Sequence, residues 1–228
     1  MAHSVLPSDT TQAHTPPSAA PARSRARVLF LGVGVAAFVM FAAECLRIFV
    51  GSNFHTVIQG RCFRSAQPTA KFLESVQKSH GVYTVINLRD TNPGEPWFEE
   101  EDAAAKRLGI NLIPAGLSSK EQPPAHDFHR FVRAIKEAKE PVLIHCANGN
   151  DRSGFAAAVY LMVHTDTPVR QARGQLSLRY GHFAWTKASC LHRILDSYEG
   201  WLAETNKAHS PDNFYDWSMN VYQQEVLP

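Results

Sequence analysis

Two kinds of apolar pattern divide this 228-residue chain. The first is a run without charge over residues 28–43, interrupted by Glu44 and resumed at Leu46, Ile48, Phe49 and Val50. The second begins near residue 52, where short apolar runs alternate with stretches of helical spacing. Residues 82–88 and 141–145 are rich in Val, Ile and Leu and read as buried strands. Residues 110–114 read as another inner strand, and 54–60 with 61–65 as a hairpin closed at Gln59-Gly60. Helical character marks residues 69–79, which stop near Gly81. It also marks a stretch opened by Pro96 and the acids Glu99, Glu100, Glu101 and Asp102, and residues 125–138. Residues 153–164 are apolar nearly all round, as a buried central helix requires. Further helices are expected over 168–177, 186–204 and from Pro211 to about Gln223. Strands alternating with helices predict an α/β domain with a mostly parallel central sheet flanked by helices. Ligands of such sheets sit beyond the carboxyl ends of the strands.

The first 27 residues are rich in Ser, Thr, Ala and Pro and end in Arg23, Arg25 and Arg27. Such a tail cannot bury enough apolar area to order itself. The apolar run behind it fits three roles. A cleaved signal needs a small-residue exit, which is poor here. A core helix of a globular domain seldom follows a basic, disordered tail. A membrane anchor needs about 17–25 residues with ends free to snorkel, and residues 28–50 satisfy this if Glu44 and Arg47 lie near the interface. The expected organisation is therefore a tail (1–27), a single spanning anchor (28–50) and a globular domain (52–228). Three arginines before the run and one after it predict a cytoplasmic N-terminus and a domain on the periplasmic or extracellular side.

The formal charge of +2 gives no electrostatic case for nucleic-acid binding. The 11 histidines show no metal-ligand spacing with cysteine or carboxylate support, so no metal is expected. Cys45, Cys62, Cys146 and Cys190 form no regular framework, although a Cys62–Cys190 bridge is compatible with the sequence.

The chemistry concentrates in His145-Cys146-Ala147-Asn148-Gly149-Asn150-Asp151-Arg152-Ser153-Gly154. An apolar strand leads in and a helix of small residues leads out. This layout points a row of backbone N–H groups, and the positive end of the helix, at one spot. The loop residues Ala147, Asn148, Gly149, Asn150, Asp151, Arg152 and Ser153 would cradle a phosphate, with the planar fork of Arg152 on two of its oxygens. A cysteine beside a cation and a helix start is pushed toward thiolate. Cys146 would then attack phosphorus in line and form a phosphocysteine, later hydrolysed by water. Ser153 would donate to the sulfur, and His145 would fix the loop.

Histidine, cysteine, five residues, arginine and serine, entered from a strand and followed by a helix, resemble the signature of the cysteine-dependent protein tyrosine phosphatase superfamily. Residues 62–68, Cys-Phe-Arg-Ser-Ala-Gln-Pro, and 85–89, Val-Ile-Asn-Leu-Arg, resemble the start of compact bacterial members related to dual-specificity phosphatases. The resemblance covers about residues 55 to 200. It implies a phosphomonoester hydrolase without metal or cofactor, acting on a phosphorylated protein or a small phosphomonoester. A phosphoinositide or inositol-phosphate phosphatase, or a catalytically weak phosphate-binding pseudophosphatase, are the alternatives.

The chain departs from the family in one respect. The loop that commonly supplies an aspartate as general acid reads Ala-Gly-Leu-Ser-Ser-Lys-Glu over residues 115–121, with no aspartate. The candidates are Glu121, Asp127, Asp90 and Asp151; some lipid phosphatases of the superfamily also carry an aspartate just before the loop arginine. Asp151 is read as acid or as a brace of the loop. Arg64 and Arg89 read as ordinary surface or ion-pair arginines or as rim residues of the pocket. Trp97 reads as packing, and residues 179–183 as a helix C-cap or a substrate loop.

Overall fold

The structure, a computed structural model, describes residues 22–49 and 51–223. Residues 1–21 of the expected tail (1–27) lie outside the described residues, as do Val50 and 224–228; residues 22–27, expected to be disordered, instead form the first turns of a helix continuous with the apolar run. The chain divides after Ala43 into two compact units. Helix α1 (Ala22–Phe49) contains the stretch Arg27–Glu44, long and apolar enough to cross a membrane. Its large apolar side chains, among them Phe30, Phe38 and Phe41, are exposed.

The second unit carries a five-stranded sheet in the order β1-β2-β5-β3-β4. Strands β1 (His55–Ile58) and β2 (Cys62–Ser65) form the expected antiparallel hairpin, with an irregular register between Thr56 and Ile58. From β2 onward the pairing is parallel: β5 (Val142–His145) lies between β2 and β3 (Thr84–Asn87), and β4 (Asn111–Pro114) pairs β3. β3 and β5 are buried throughout. β4 has a neighbour on one side only and is exposed or half-buried along its length. Its run of apolar residues suggested an inner strand; it is an edge strand.

The two-residue period of the strands sends side chains to two cores. Cys62, Val142 and Ile144 pack into the larger one, with α4 (Ala125–Glu137), α5 (Asp151–His164), α7 (Cys190–Glu204) and α8 (Pro211–Asn220). Phe63, Val85 and Leu143 face the smaller one, closed by α2 (Ala70–His80) and α3 (Pro96–Leu108). Thr69 caps α2 by accepting from the Phe72 amide, and Pro96 opens α3, as read from the sequence. α5 is the central helix, buried from Ser153 to Tyr160.

Between α5 and α7 the helices are shorter than their sequence pattern suggests. The segment over 168–177 is an α-helix only over Val169–Ala172 (α6), followed by a tight turn at Arg173–Gln175. Gly174 weakens the helix there, and the turn brings the Gln175 carbonyl to Arg64. Likewise a short turn at Lys187–Ser189 precedes α7. Cys62, Cys146 and Cys190 are free thiols, so the conceivable Cys62–Cys190 bridge is not formed.

Phe155 is fully buried at the centre of the larger core, its ring 5.9 Å from that of Phe131 and 6.4 Å from that of Phe128. Phe155→Ala should lower unfolding stability by about 3–5 kcal/mol. Urea unfolding followed by tryptophan fluorescence measures this; an unchanged midpoint would contradict the packing described.

Candidate active site

β5, the central strand of the sheet, ends at His145 and α5 starts at Asp151; between them runs the loop of Cys146 to Asn150. The loop is folded tightly against the end of β2. Gly149 has φ +72°, and a Cβ there would lie 2.7 Å from the Ala66 nitrogen and 2.9 Å from the Ser65 carbonyl oxygen. Both the left-handed backbone and the close approach require glycine.

Four successive carbonyls of this loop are held from outside. The Gln67 amide donates to the Ala147 carbonyl at 3.1 Å. Asn53 Nδ2 donates to the Asn148 carbonyl at 3.1 Å, and is itself oriented by His55, whose Nε2 lies 2.9 Å from Asn53 Oδ1. Arg64 Nη2 donates to the carbonyls of both Gly149 and Asn150 at 2.8 Å. Because the N–H of a trans peptide points away from its C=O, the amides of Asn148, Gly149, Asn150 and Asp151 turn to the opposite, concave side.

On that side lies a pocket of about 60 Å³, lined by Ser119, Cys146, Ala147, Asn148, Asn150, Asp151 and Arg152. Five of the seven residues expected to cradle a phosphate thus border it by their side chains or backbone. Gly149 offers the pocket no side chain, and Ser153 does not border it. Ser153 Oγ, expected on the sulfur, donates instead to the Ser65 carbonyl at 3.2 Å and ties α5 to β2. Arg152 Nη1 donates to the Leu88 carbonyl at 3.1 Å, which fixes the guanidinium beside the pocket.

Arg64 is not a surface or rim residue. It is fully buried, its guanidinium 4.3 Å from the centre of the Tyr180 ring, and Nη1 reaches the Gln175 carbonyl at 2.7 Å. Burial pushes its pKa down to about 10, partly offset by Cys146 and Tyr180, so it stays charged at neutral pH. Burial likewise pushes the Cys62 thiol far above its usual range.

His145 does not bond to the loop it precedes. It is fully buried, with Nε2 2.6 Å from Oε1 of the fully buried Glu101 of α3, a close approach without good hydrogen-bond angles. Glu101 Oε2 accepts from Gln67 Nε2 at 2.9 Å and Asn87 Nδ2 at 3.1 Å. Arg89 Nη1 donates to Gln67 Oε1 at 2.9 Å, and its guanidinium stacks 3.4 Å over the Trp97 ring. Burial, then the nearby Arg152, lowers the Arg89 pKa.

The candidate acids separate by position. Glu121 is exposed and does not line the pocket, although Ser119 of the same segment does. Asp90 packs on Gly116 and pairs with Arg130 at 3.1 Å; Asp127 pairs with the same arginine at 3.3 Å. Among the described residues Asp151 is the carboxylate that borders the pocket, and its Oδ1 lies 2.7 Å from His182 Nδ1. No group of three or more His, Cys, Asp or Glu among the described residues could hold a metal ion. The supporting positions of Asn53, Glu101 and His182 were not legible from the sequence pattern. For Glu101 a signal existed, since it shares a helix face with Ala104, Ala105 and Leu108.

A parallel α/β sheet that delivers a cysteine into a concave, amide-lined loop closed by an arginine defines the class of cysteine-dependent phosphatases. The family model described as "DSP-PTPase phosphatase fused to NAD+ kinase" matches residues 50–192, well over half of the chain. The chain belongs to this phosphatase family and is an enzyme that hydrolyses phosphomonoesters. The chain is similar to solved structures, and the first two below share its fold. A DUF442 protein of Shewanella putrefaciens is 18% identical, with a TM-score of 0.51 over 64% of this chain and 88% of its own. PTPMT1 is 16% identical, with a TM-score of 0.50 over 66% of this chain and 99% of its own. TpbA of P. aeruginosa is 20% identical, with a TM-score of 0.49 over 67% of this chain and 91% of its own.

Gly149→Ala should force the loop off the end of β2, at a cost of about 1–3 kcal/mol in backbone strain. Thermal unfolding and turnover of an aryl phosphate should both fall. A variant as stable and as active as wild type would show that the tight approach is not required.

Proposed function

We propose that Cys146 is the nucleophile of a two-step phosphomonoester hydrolysis. The Cys146 thiolate attacks phosphorus, the bond to the leaving oxygen breaks, and a phosphocysteine forms. The guanidinium of Arg152 and the loop amides carry the charge of the three non-reacting phosphate oxygens. Asp151 gives a proton to the departing oxygen in the first step and takes one from the attacking water in the second. Breaking the phosphorus–sulfur bond then releases inorganic phosphate and restores the thiolate. The observation that carries this reading is the outward restraint of four loop carbonyls, which turns the amides toward the pocket beside Cys146. Asp151 takes the proton-handling role because it borders that pocket while Glu121, Asp90 and Asp127 are exposed or paired elsewhere. The substrate is a phosphorylated protein or a small phosphomonoester.

Residues 28–50 are the membrane anchor in this reading, with the catalytic domain (52–228) on the periplasmic or extracellular side. The length and apolar composition of the Arg27–Glu44 stretch and the arginines before it support this.

Turnover of 4-nitrophenyl phosphate in the presence of EDTA, with inhibition by vanadate, tests the chemistry. Cys146→Ser should abolish turnover yet keep phosphate binding; an active Cys146→Ser enzyme would overturn the assignment. Asp151→Asn should lower kcat/KM by about 10²-fold or more on phenyl phosphate, and far less on 4-nitrophenyl phosphate, whose leaving group needs little proton help. Glu121→Gln should change neither. Membrane fractionation tests the anchor: the full chain should sediment with membranes and a chain lacking residues 1–50 should be soluble, whereas a soluble full chain would contradict it.

A further inference from the structure

The Asp151 carboxylate is one end of a hydrogen-bonded chain that runs away from the pocket. Asp151 Oδ1 is 2.7 Å from His182 Nδ1. His182 Nε2 is 2.9 Å from His192 Nε2. His192 Nδ1 is 3.4 Å from Arg173 Nη1, and Arg173 Nη2 is held by Asp196 Oδ1 at 2.7 Å and Glu199 Oε2 at 2.5 Å. The chain joins the start of α5, the loop before α7 and α7 itself to the turn after α6. His182 is 1% exposed, so water does not substitute for its partners.

The two ends fix the polarity of everything between them. Arg173 can only donate and does not lose its proton. It therefore meets the lone pair of His192 Nδ1, which leaves the His192 proton on Nε2. That proton points at His182 Nε2, which must accept, so the His182 proton is on Nδ1 and is donated to Asp151 Oδ1. Burial, His182 and Arg173 all lower the His192 pKa, in keeping with a neutral ring. The reverse polarity would set a His192 N–H against an Arg173 N–H. For the same reason the chain is no proton wire. Moving the His182 proton onto Asp151 would require Arg173 to refill the far end, which it cannot do. It is a lock.

We infer that His182, backed by His192 and Arg173, is a positioning residue of the proposed reaction, committing Asp151 Oδ1 as an acceptor so that Oδ2 alone exchanges protons with substrate and water. This rests on the proton-handling role of Asp151 proposed above. No hydrogen bond among the described residues ends on Oδ2, so that oxygen is available to the pocket.

The test uses the detergent-solubilised full chain and kcat/KM on phenyl phosphate and 4-nitrophenyl phosphate. His182→Ala should lower kcat/KM by about 10- to 100-fold on phenyl phosphate and much less on 4-nitrophenyl phosphate. His182→Asn, whose amide N–H can stand where ring Nδ1 stood, should recover most of the loss. Adding His182→Ala to Asp151→Asn should cost little more than Asp151→Asn alone. Equal losses on both substrates, no rescue by Asn, or losses that multiply in the double variant would overturn the inference while leaving Asp151 in its role. Wild-type kcat/KM of Asp151→Asn on phenyl phosphate would remove that role and the inference with it. Should His182→Ala fail to fold, His192→Phe strips the donor that sets the His182 tautomer. It should lower the same substrate ratio, and an unchanged ratio overturns the inference.

Discussion

The hold that Arg64, Asn53 and the Gln67 amide keep on the loop carbonyls is the constraint on which the site depends. A loop between a strand and a helix has as many carbonyls as amides, and left to itself it would show a phosphate both. Here the carbonyls of Ala147, Asn148, Gly149 and Asn150 are satisfied on the convex side. What faces the pocket is the donor half of the peptide units, with the positive end of α5 behind them. Arginine suits this task better than lysine, since one planar group can donate in fixed directions to two carbonyls on one side and to Gln175 on the other. Burying it costs desolvation, which its depressed pKa records. Five hydrogen-bond acceptors or ring contacts offset that cost, and the same contacts draw the turn after α6 onto the loop.

A second network holds the loop from the side of α3. Glu101 collects Gln67, Asn87 and His145, so the residue before the cysteine, the end of β3 and the segment after β2 converge on one buried carboxylate. Arg89 extends this network through Gln67 to Trp97. The site is thus gripped by both cores of the domain: Arg64 and Ser153 tie the loop and α5 to β2, and Glu101 ties the strand ends to α3. Rigid placement of this kind is what a phosphate cradle needs, because donors must be in position before charge develops on the transferring group.

Much of the fold was legible from periodicity. Strands β3 and β5, the hairpin, and helices α2 to α5 stand within a few residues of where alternation, capping residues and Pro96 put them. β4 was misjudged because an apolar run does not say how many neighbours a strand has. The helix over 168–177 was overextended because Gly174 alone is a weak stop signal, and a tertiary contact, the Gln175 carbonyl on Arg64, completes the turn. The core of the candidate site was legible because the residues that line the pocket are mostly contiguous, from Cys146 to Arg152. Its supports were not, because they come from residues 53, 64, 101, 182 and 192, whose types are common on surfaces. Arg64 and Glu101 show this most clearly: each looks like an ordinary charged residue in sequence, and each is fully buried because it completes a polar network.

The claim that these supports make the cradle is tested most directly by the vanadate inhibition constant of Arg64→Met, compared with wild type in the same folded, detergent-solubilised chain. Freed carbonyls of Gly149 and Asn150 would turn toward the anion, so inhibition should weaken by about tenfold or more, corresponding to one lost charge-assisted contact of about 1.5–3 kcal/mol. An Arg64→Met enzyme that folds and binds vanadate as tightly as wild type would contradict the account.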